Sequence, residues 1–147
     1  MITLLQRVDS AEVHINKEIY NKINSGLLVL LGIDKNDKLS DIKYLVDKII
    51  HLRIFNDDKD KMNLSIIDIQ GEILIISQFT LLADIKKGRR PSFIQSAEPK
   101  VAKNLYNIFV DQLHSSNLII KTGQFGAMMD IKLINNGPAT FILNSRI

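Results

Sequence analysis

The chain has 147 residues, 46% of them hydrophobic and 24% charged, which fits one folded domain with a single core and excludes a disordered or collagen-like protein. A formal charge of +3 and a pI near 9.1 permit a polyanionic partner without requiring one. The lack of cysteine excludes disulfides, thiolate metal sites and a cysteine nucleophile, and the longest apolar run, Gly26 to Gly32, falls far short of the roughly 18 residues of a membrane helix.

The opening residues Met1 to Arg7 show no basic stretch ahead of an apolar run and no small-residue cleavage site, so a cytoplasmic location is expected. Val8, Ala11, Val13 and Ile15 stand at strand-like spacing, and Asn16-Lys17 and Asn24-Ser25-Gly26 supply turn chemistry. Three strands are predicted, roughly 2–15, 18–23 and 27–33. The last is apolar throughout, as a central strand covered on both faces would be. Leu39, Ile42, Leu45, Val46, Ile49 and Ile50 then recur at steps of three and four, predicting an amphipathic helix over about 38–52.

Arg53-Ile54-Phe55 reads as extended, and the charged run from Asn56 to Lys61 as an exposed loop without the glycine spacing of a calcium hand. Gln70-Gly71 turns the chain into Ile73-Leu74-Ile75-Ile76, a second buried strand that ends at Ser77. Leu82 to Ala97 reads as a long loop. A second helix starts near Ser96 to Pro99 and ends near Ser115, with Val101, Leu105, Ile108, Phe109 and Leu113 on its expected buried face. Three more extended pieces follow, about 118–122, 128–134 and 139–143. The whole of 1–147 reads as a single α+β domain, a strand-rich sheet or barrel-like core with two main helices.

None of the three histidines, His14, His51 and His114, adjoins a candidate nucleophile in sequence, and no nucleophile elbow, phosphate-binding loop or HExxH helix occurs. Ser77-Gln78-Phe79-Thr80-Leu81 differs because its polar groups follow a buried strand, where backbone N–H groups lose their ladder partners. Those N–H groups could hold an oxyanion while Ser77, Gln78 and Thr80 position a carbonyl or a water. The plainer reading is a strand end tied off by polar side chains. Asn136-Gly137-Pro138 would ordinarily be a turn between strands; a Gly–Pro bond in the cis form would instead turn neighbouring carbonyls to one side.

In order along the chain stand Gln6-Arg7-Val8, Gly26 to Gly32, Lys61-Met62-Asn63-Leu64, Ser77 to Leu81, Arg90-Pro91-Ser92-Phe93, Thr122-Gly123 and Asn136 to Thr140. Together they resemble, over the whole chain, the bacterial and eukaryotic D-aminoacyl-tRNA deacylases, also called D-tyrosyl-tRNA deacylases. The resemblance implies a homodimer with cross-subunit active sites acting on the 3′ end of aminoacyl-tRNA. It implies no cofactor, no metal, no membrane and no DNA.

Ser77, Gln78, Phe79 and Thr80 would form the catalytic shelf, and Gly137 and Pro138, in cis and braced by Arg7, would reject L-amino acids from the partner subunit. Met62, Asn63 and Asn136 would contact substrate. Lys86, Lys87, Arg89 and Arg90 would meet tRNA phosphates, although a charged run is commonly just a solvated loop. The resemblance leaves open Thr80 as nucleophile or a water aimed by the 2′-hydroxyl of the RNA; the second is preferred because no base near Thr80 is evident. A chiral wall cannot exclude glycine, so glycyl-tRNA is an expected substrate. Valine is usual in the family at Ala139, and the smaller residue predicts looser packing by about 1 kcal/mol. Two other readings stand beside this one: the editing module of archaeal-type threonyl-tRNA synthetases, which removes L-serine, and an RNA-binding or dimerisation protein without catalysis.

Overall fold

The computed structural model describes residues 1–146. Strand β1 (Ile2–Ile15) is the organising element. One of its edges pairs first with β3 (Gly26–Gly32) and then with β2 (Glu18–Ile23), while the other pairs with β8 (Asp130–Asn144). Beyond β3 the sheet continues in parallel through β6 (Glu72–Ser77) to β7 (Ile119–Thr122). The sheet curls into a nearly closed barrel, with β4 (Phe55–Asn56) and β5 (Met62–Leu64) as a separate short ladder.

Helices α1 (Leu39–His51) and α2 (Pro99–His114) cover the outer face of the sheet. Ile42, Leu45 and Ile49 of α1 meet Leu105, Phe109 and Leu113 of α2 and Leu27, Val29 and Ile75 of the sheet in one buried cluster. The opposite face of the same strands, Leu28, Leu74 and Ile76, packs inside the barrel against Val8, Ala11, Val13 and Ile23. This is why Leu27 to Leu31 is apolar without alternation: both faces of β3 are covered. Asp41 accepts a hydrogen bond from the Lys38 N–H at 2.7 Å and so closes the start of α1, while Pro99 takes the first position of α2. No described helix is long and apolar enough to cross a membrane.

The two helices and the first three strands lie within a residue of their expected bounds. Four details differ. Residues 53–55 are extended only as far as the short β4, and β5 had no periodic signal. Phe79–Leu82 forms a 3-10 turn inside the motif that follows β6. Val101, placed on the buried face of α2, is half exposed at 50%. The expected strands 128–134 and 139–143 are one strand, β8, and Asn136-Gly137-Pro138 is not a hairpin turn. Thr140 pairs with Gln6 and Asn135 with Val8, so Arg7 alone faces the four residues 136–139. The strand is thrown outward there and resumes its ladder beyond, which local turn propensity could not distinguish from a reversal.

The two ends of β1 and β8 are joined by charge. The Met1 amine pairs with Asp37 at 2.5 Å, and Arg146 reaches Asp34 at 3.1 Å and Asp37 at 2.8 Å. Burial would raise the carboxyls of Asp34 and Asp41, but the Asn36 N–H and Arg146 for the first, and Ser145 and the Lys38 N–H for the second, outweigh it and lower both. A lowered folded value gives stability that is complete above the unfolded pKa near ~3.9 and is lost as pH falls through the folded value. Melting temperature should therefore hold from about pH 7 to about pH 5 and fall below that, with a shallower acid slope in Asp34→Asn.

Candidate active site

β3 and β6 run parallel, so their C-terminal ends lie side by side, and ligands of such sheets bind where the strands end. Gln78 N–H donates to Leu31 O at 2.8 Å, the last rung between these strands. The chain then enters the 3-10 turn, whose first bond runs from Leu81 N–H to Gln78 O at 3.3 Å. The N–H groups of Phe79 and Thr80 precede that bond, and among the described residues neither donates to a backbone carbonyl. Gly32 makes the turn possible: a Cβ there would lie 3.1 Å from Gln78 O and from the Leu81 Cβ.

The shelf opens on a pocket of about 520 Å³. Ser77, Gln78 and Phe79 form one wall, the start of α2 at Pro99 and Ala102 a second, and Phe125 to Met129 a third. Among the described residues no charged side chain and no histidine lines it. Thr80 lies beside the pocket rim, and its hydroxyl accepts a hydrogen bond from the Gln78 side-chain amide. An amide cannot take up the hydroxyl proton, so nothing here activates Thr80 as a nucleophile. His14 and His51 are engaged elsewhere, by Glu12 at 2.7 Å and by Asp47 at 3.1 Å. Among the described residues no three His, Asp or Glu side chains gather where they could hold a metal ion.

A second constellation surrounds Arg7, which is only 7% exposed. Its Nε donates to Asn136 O at 3.1 Å and its Nη2 to Gly137 O at 3.4 Å, while Nη1 donates to Ile54 O at 2.6 Å and Asn56 Oδ1 at 3.0 Å. Every acceptor is neutral. From the other side Asn135 Nδ2 donates to Arg7 O at 3.0 Å and to Ala139 O at 3.4 Å. The thrown-out residues 136–139 are thus clamped at both ends, and the Gly137–Pro138 peptide bond is cis. Asn136, Gly137 and Pro138 are exposed, whereas Ala139, despite its small side chain, is fully buried.

Neither Gly137 nor Pro138 lines the pocket beside Ser77. The structure therefore joins Arg7 with Asn136 and Gly137, and Ser77 with Gln78 and Phe79, as two separate groups within one chain. Met62 and Asn63 lie with the Arg7 group: Met62 pairs with Asn56 across β4 and β5, and Asn63 bonds Asp57 at 3.2 Å and Arg53 at 3.4 Å. Lys86, Lys87, Arg89 and Arg90 occupy an exposed loop closed by paired bonds between Asp84 and Ser92, at 2.8 and 3.0 Å. That loop is tied to the pocket through Phe93, whose ring meets Phe79 edge-on at 4.9 Å.

Sequence pattern gave no reason to expect the wall from Phe125 to Met129, or the parts played by Asn56, Ile54 O and Asn135. A glycine before the wall and one within it, Gly123 and Gly126, were the available signal. A Cβ on Gly123 would lie 2.6 Å from Met129 Sδ, and Gly126 has φ +80°.

Residues 4–144 match the family model described as D-Tyr-tRNA(Tyr) deacylase. A D-aminoacyl-tRNA deacylase of Thermosipho africanus (strain TCF52B) is 53% identical over 146 residues, covering 99% of this chain and 98% of that protein. Another from Clostridioides difficile (strain 630) is 50% identical over 145 residues, covering 99% and 97%. A solved structure titled c-Myc DNA Unwinding Element Binding Protein superposes with a TM-score of 0.92 at 38% identity over 98% of each chain. A probable eukaryotic D-amino acid tRNA deacylase shares the fold, with a TM-score of 0.81 at 20% identity over 97% of each chain. This chain belongs to the D-Tyr-tRNA(Tyr) deacylase family.

Proposed function

We propose that this protein hydrolyses the ester of D-aminoacyl-tRNA, releasing the D-amino acid and tRNA, and that it does so in the cytoplasm as a homodimer. The observation that carries the reading is the uncharged pocket at the ends of β3 and β6, with the N–H groups of Phe79 and Thr80 at its edge. An aminoacyl ester is more reactive than an amide, so two oriented donors and a placed water suffice. Each donor aimed at a developing oxyanion contributes about a hundredfold or more in rate.

The terminal adenosine occupies the pocket, and the ester carbonyl lies over the Phe79 and Thr80 N–H groups. A water oriented by the 2′-hydroxyl of the terminal ribose adds to the carbonyl carbon, and its oxygen becomes the new carboxyl oxygen. The bond to the ribose oxygen breaks, and the proton released by the water passes to that leaving oxygen. The unactivated Thr80 hydroxyl supports this route over a covalent one.

Handedness belongs to Gly137 and Pro138 of a second copy. They do not line the pocket of their own chain, and exposed apolar side chains line that pocket: Phe79 at 55% and Met128 at 92%. Patches of this kind mark surfaces that meet a partner. A rigid wall costing an L side chain about 4 kcal/mol gives roughly thousandfold discrimination. Glycine offers no side chain to reject, so glycyl-tRNA is also cleaved. Lys86, Lys87, Arg89 and Arg90 meet the acceptor-stem phosphates, and their loss should flatten the fall of affinity with salt.

A time course with matched D- and L-tyrosyl-tRNA, repeated with glycyl-tRNA, tests the reading. D-tyrosyl-tRNA and glycyl-tRNA should be cleaved and L-tyrosyl-tRNA spared. Equal or absent cleavage of the two tyrosyl esters would sink the proposal. Preference for L-seryl-tRNA would point to the synthetase editing activity, and binding without turnover to a non-enzymatic RNA-binding protein. Replacing the terminal ribose by 2′-deoxyribose should abolish cleavage; full activity on that substrate would remove the RNA from the mechanism.

A further inference from the structure

We propose that a second pocket, on the other side of Phe125, receives the nucleotide that precedes the terminal adenosine of tRNA. The inference rests on the deacylase reading above, which places that adenosine in the first pocket. The second cavity, about 500 Å³, lies between the middle of α2 and residues 122–125, and Phe125 lines both. The volume is in the range of small-molecule sites.

The partition is firmly held. Phe125 rests on the Tyr106 ring at 5.7 Å, and the Tyr106 hydroxyl donates to Ile75 O at 3.0 Å, in the strand that leads to Ser77. Burial pushes that hydroxyl well above its ordinary pKa, so it remains a neutral donor. Asn21 Nδ2 holds the far wall through Thr122 O at 2.7 Å. The spacing suits consecutive nucleotides: the two linings abut on α2 at Ala102 and Lys103, and their centres on that helix, near residues 100 and 107, lie about 10 Å apart. Adjacent nucleotides whose bases are unstacked and splayed apart span such a gap.

The lining also has the chemistry of a nucleotide site. Lys103 stands at the end nearest the first pocket, where the linking phosphate would pass, and forms no ion pair with a described acid. Tyr20, 47% exposed, offers a ring for base stacking. Asn107, Asp111 and Gln124 supply polar groups for a base edge. Asp111 lies about 12 Å beyond Lys103 along α2, too far to repel the phosphate. Its carboxylate suits the exocyclic amino group of cytosine, the base that precedes the terminal adenosine in every tRNA. The polarity of the groove therefore runs from adenosine at Ser77 to cytidine at Asp111.

Binding of adenosine and of the dinucleotides CpA and UpA, measured by calorimetry on the full chain, tests this directly. CpA should bind at least about tenfold more tightly than adenosine, and more tightly than UpA. Lys103→Ala should reduce the ratio of CpA to adenosine affinity about tenfold, Lys103→Arg should restore much of it, and Asp111→Ala should erase the preference for CpA over UpA. Melting temperatures check that each variant is folded. If CpA binds no better than adenosine, or if folded Lys103→Ala keeps the gain, the second site is overturned. Turnover of D-tyrosyl-tRNA by the same wild-type preparation separates the two ideas: turnover without a CpA gain leaves the deacylase reading standing, and neither turnover nor adenosine binding removes both.

Discussion

Arg7→Ala is expected to collapse chiral discrimination, raising cleavage of L-tyrosyl-tRNA toward that of D-tyrosyl-tRNA, and to lower stability by about 2–3 kcal/mol. Arg7 is buried and its guanidinium reaches four acceptors, two of them the carbonyls of Asn136 and Gly137. Truncation leaves these groups with water or with nothing, and unmade bonds to buried acceptors are costly. Against this, removing a cation that no carboxylate neutralises among the described residues recovers part of its desolvation penalty. The loss is therefore smaller than four hydrogen bonds would suggest, and about 5–10 °C in melting temperature is expected.

Selectivity should suffer more than stability. The proposed wall would depend on where the 136 and 137 carbonyls stand, and a drop from roughly thousandfold to tenfold discrimination needs only about 3 kcal/mol of lost clash. Arg7→Lys separates the two effects, because it keeps the charge but lacks the planar fork that reaches Ile54 O, Asn136 O and Gly137 O together. It should melt closer to wild type yet discriminate poorly. If folded Arg7→Lys rejects L-tyrosyl-tRNA as well as the native protein, the handedness lies elsewhere.

What could be read from the sequence follows from how local its causes are. The apolar run of β3 and the three-and-four spacing of α1 are properties of single segments, and the structure places both where the pattern put them. The path of β8 was not legible. Asn136, Gly137 and Pro138 all favour turns, and only the pairing of Asn135 and Thr140 with the same neighbouring strand shows that the chain bulges without reversing. Asn56 and Asn135 were equally hidden, because each matters through Arg7, a residue far away in sequence. Ser77 to Thr80 drew the sequence reading because a buried strand ended directly on polar residues, and the structure puts Ser77, Gln78 and Phe79 of that segment on one pocket wall. The wall opposite, Phe125 to Met129, has no such pattern and becomes apparent only once α2 and β6 are packed.

Gly137→Ala should abolish at least about 99% of D-tyrosyl-tRNA turnover without any loss of stability. Within the chain nothing requires glycine at this position: an added Cβ would find only Asn135 Oδ1, at 3.8 Å. Gly137 is exposed, and its φ does not lie in the left-handed region. Alanine should then raise stability slightly, by about 0.4–1 kcal/mol, through the lower entropy of the unfolded chain. A glycine that its own fold does not demand is explained by something outside the chain, and the proposed composite site supplies it: the methyl would enter the space of the substrate on the other subunit. Phe79→Pro is the complementary variant, since it removes one oxyanion N–H at the first position of the 3-10 turn, where proline is tolerated. Alone, each variant should be nearly inactive. Refolded together, half of the dimers combine the two, and each of those holds one site with an intact shelf and an intact wall. About a quarter of wild-type turnover should return. If the mixture stays as inactive as its parts while forming dimers, shelf and wall belong to the same subunit, and the cross-subunit site is wrong.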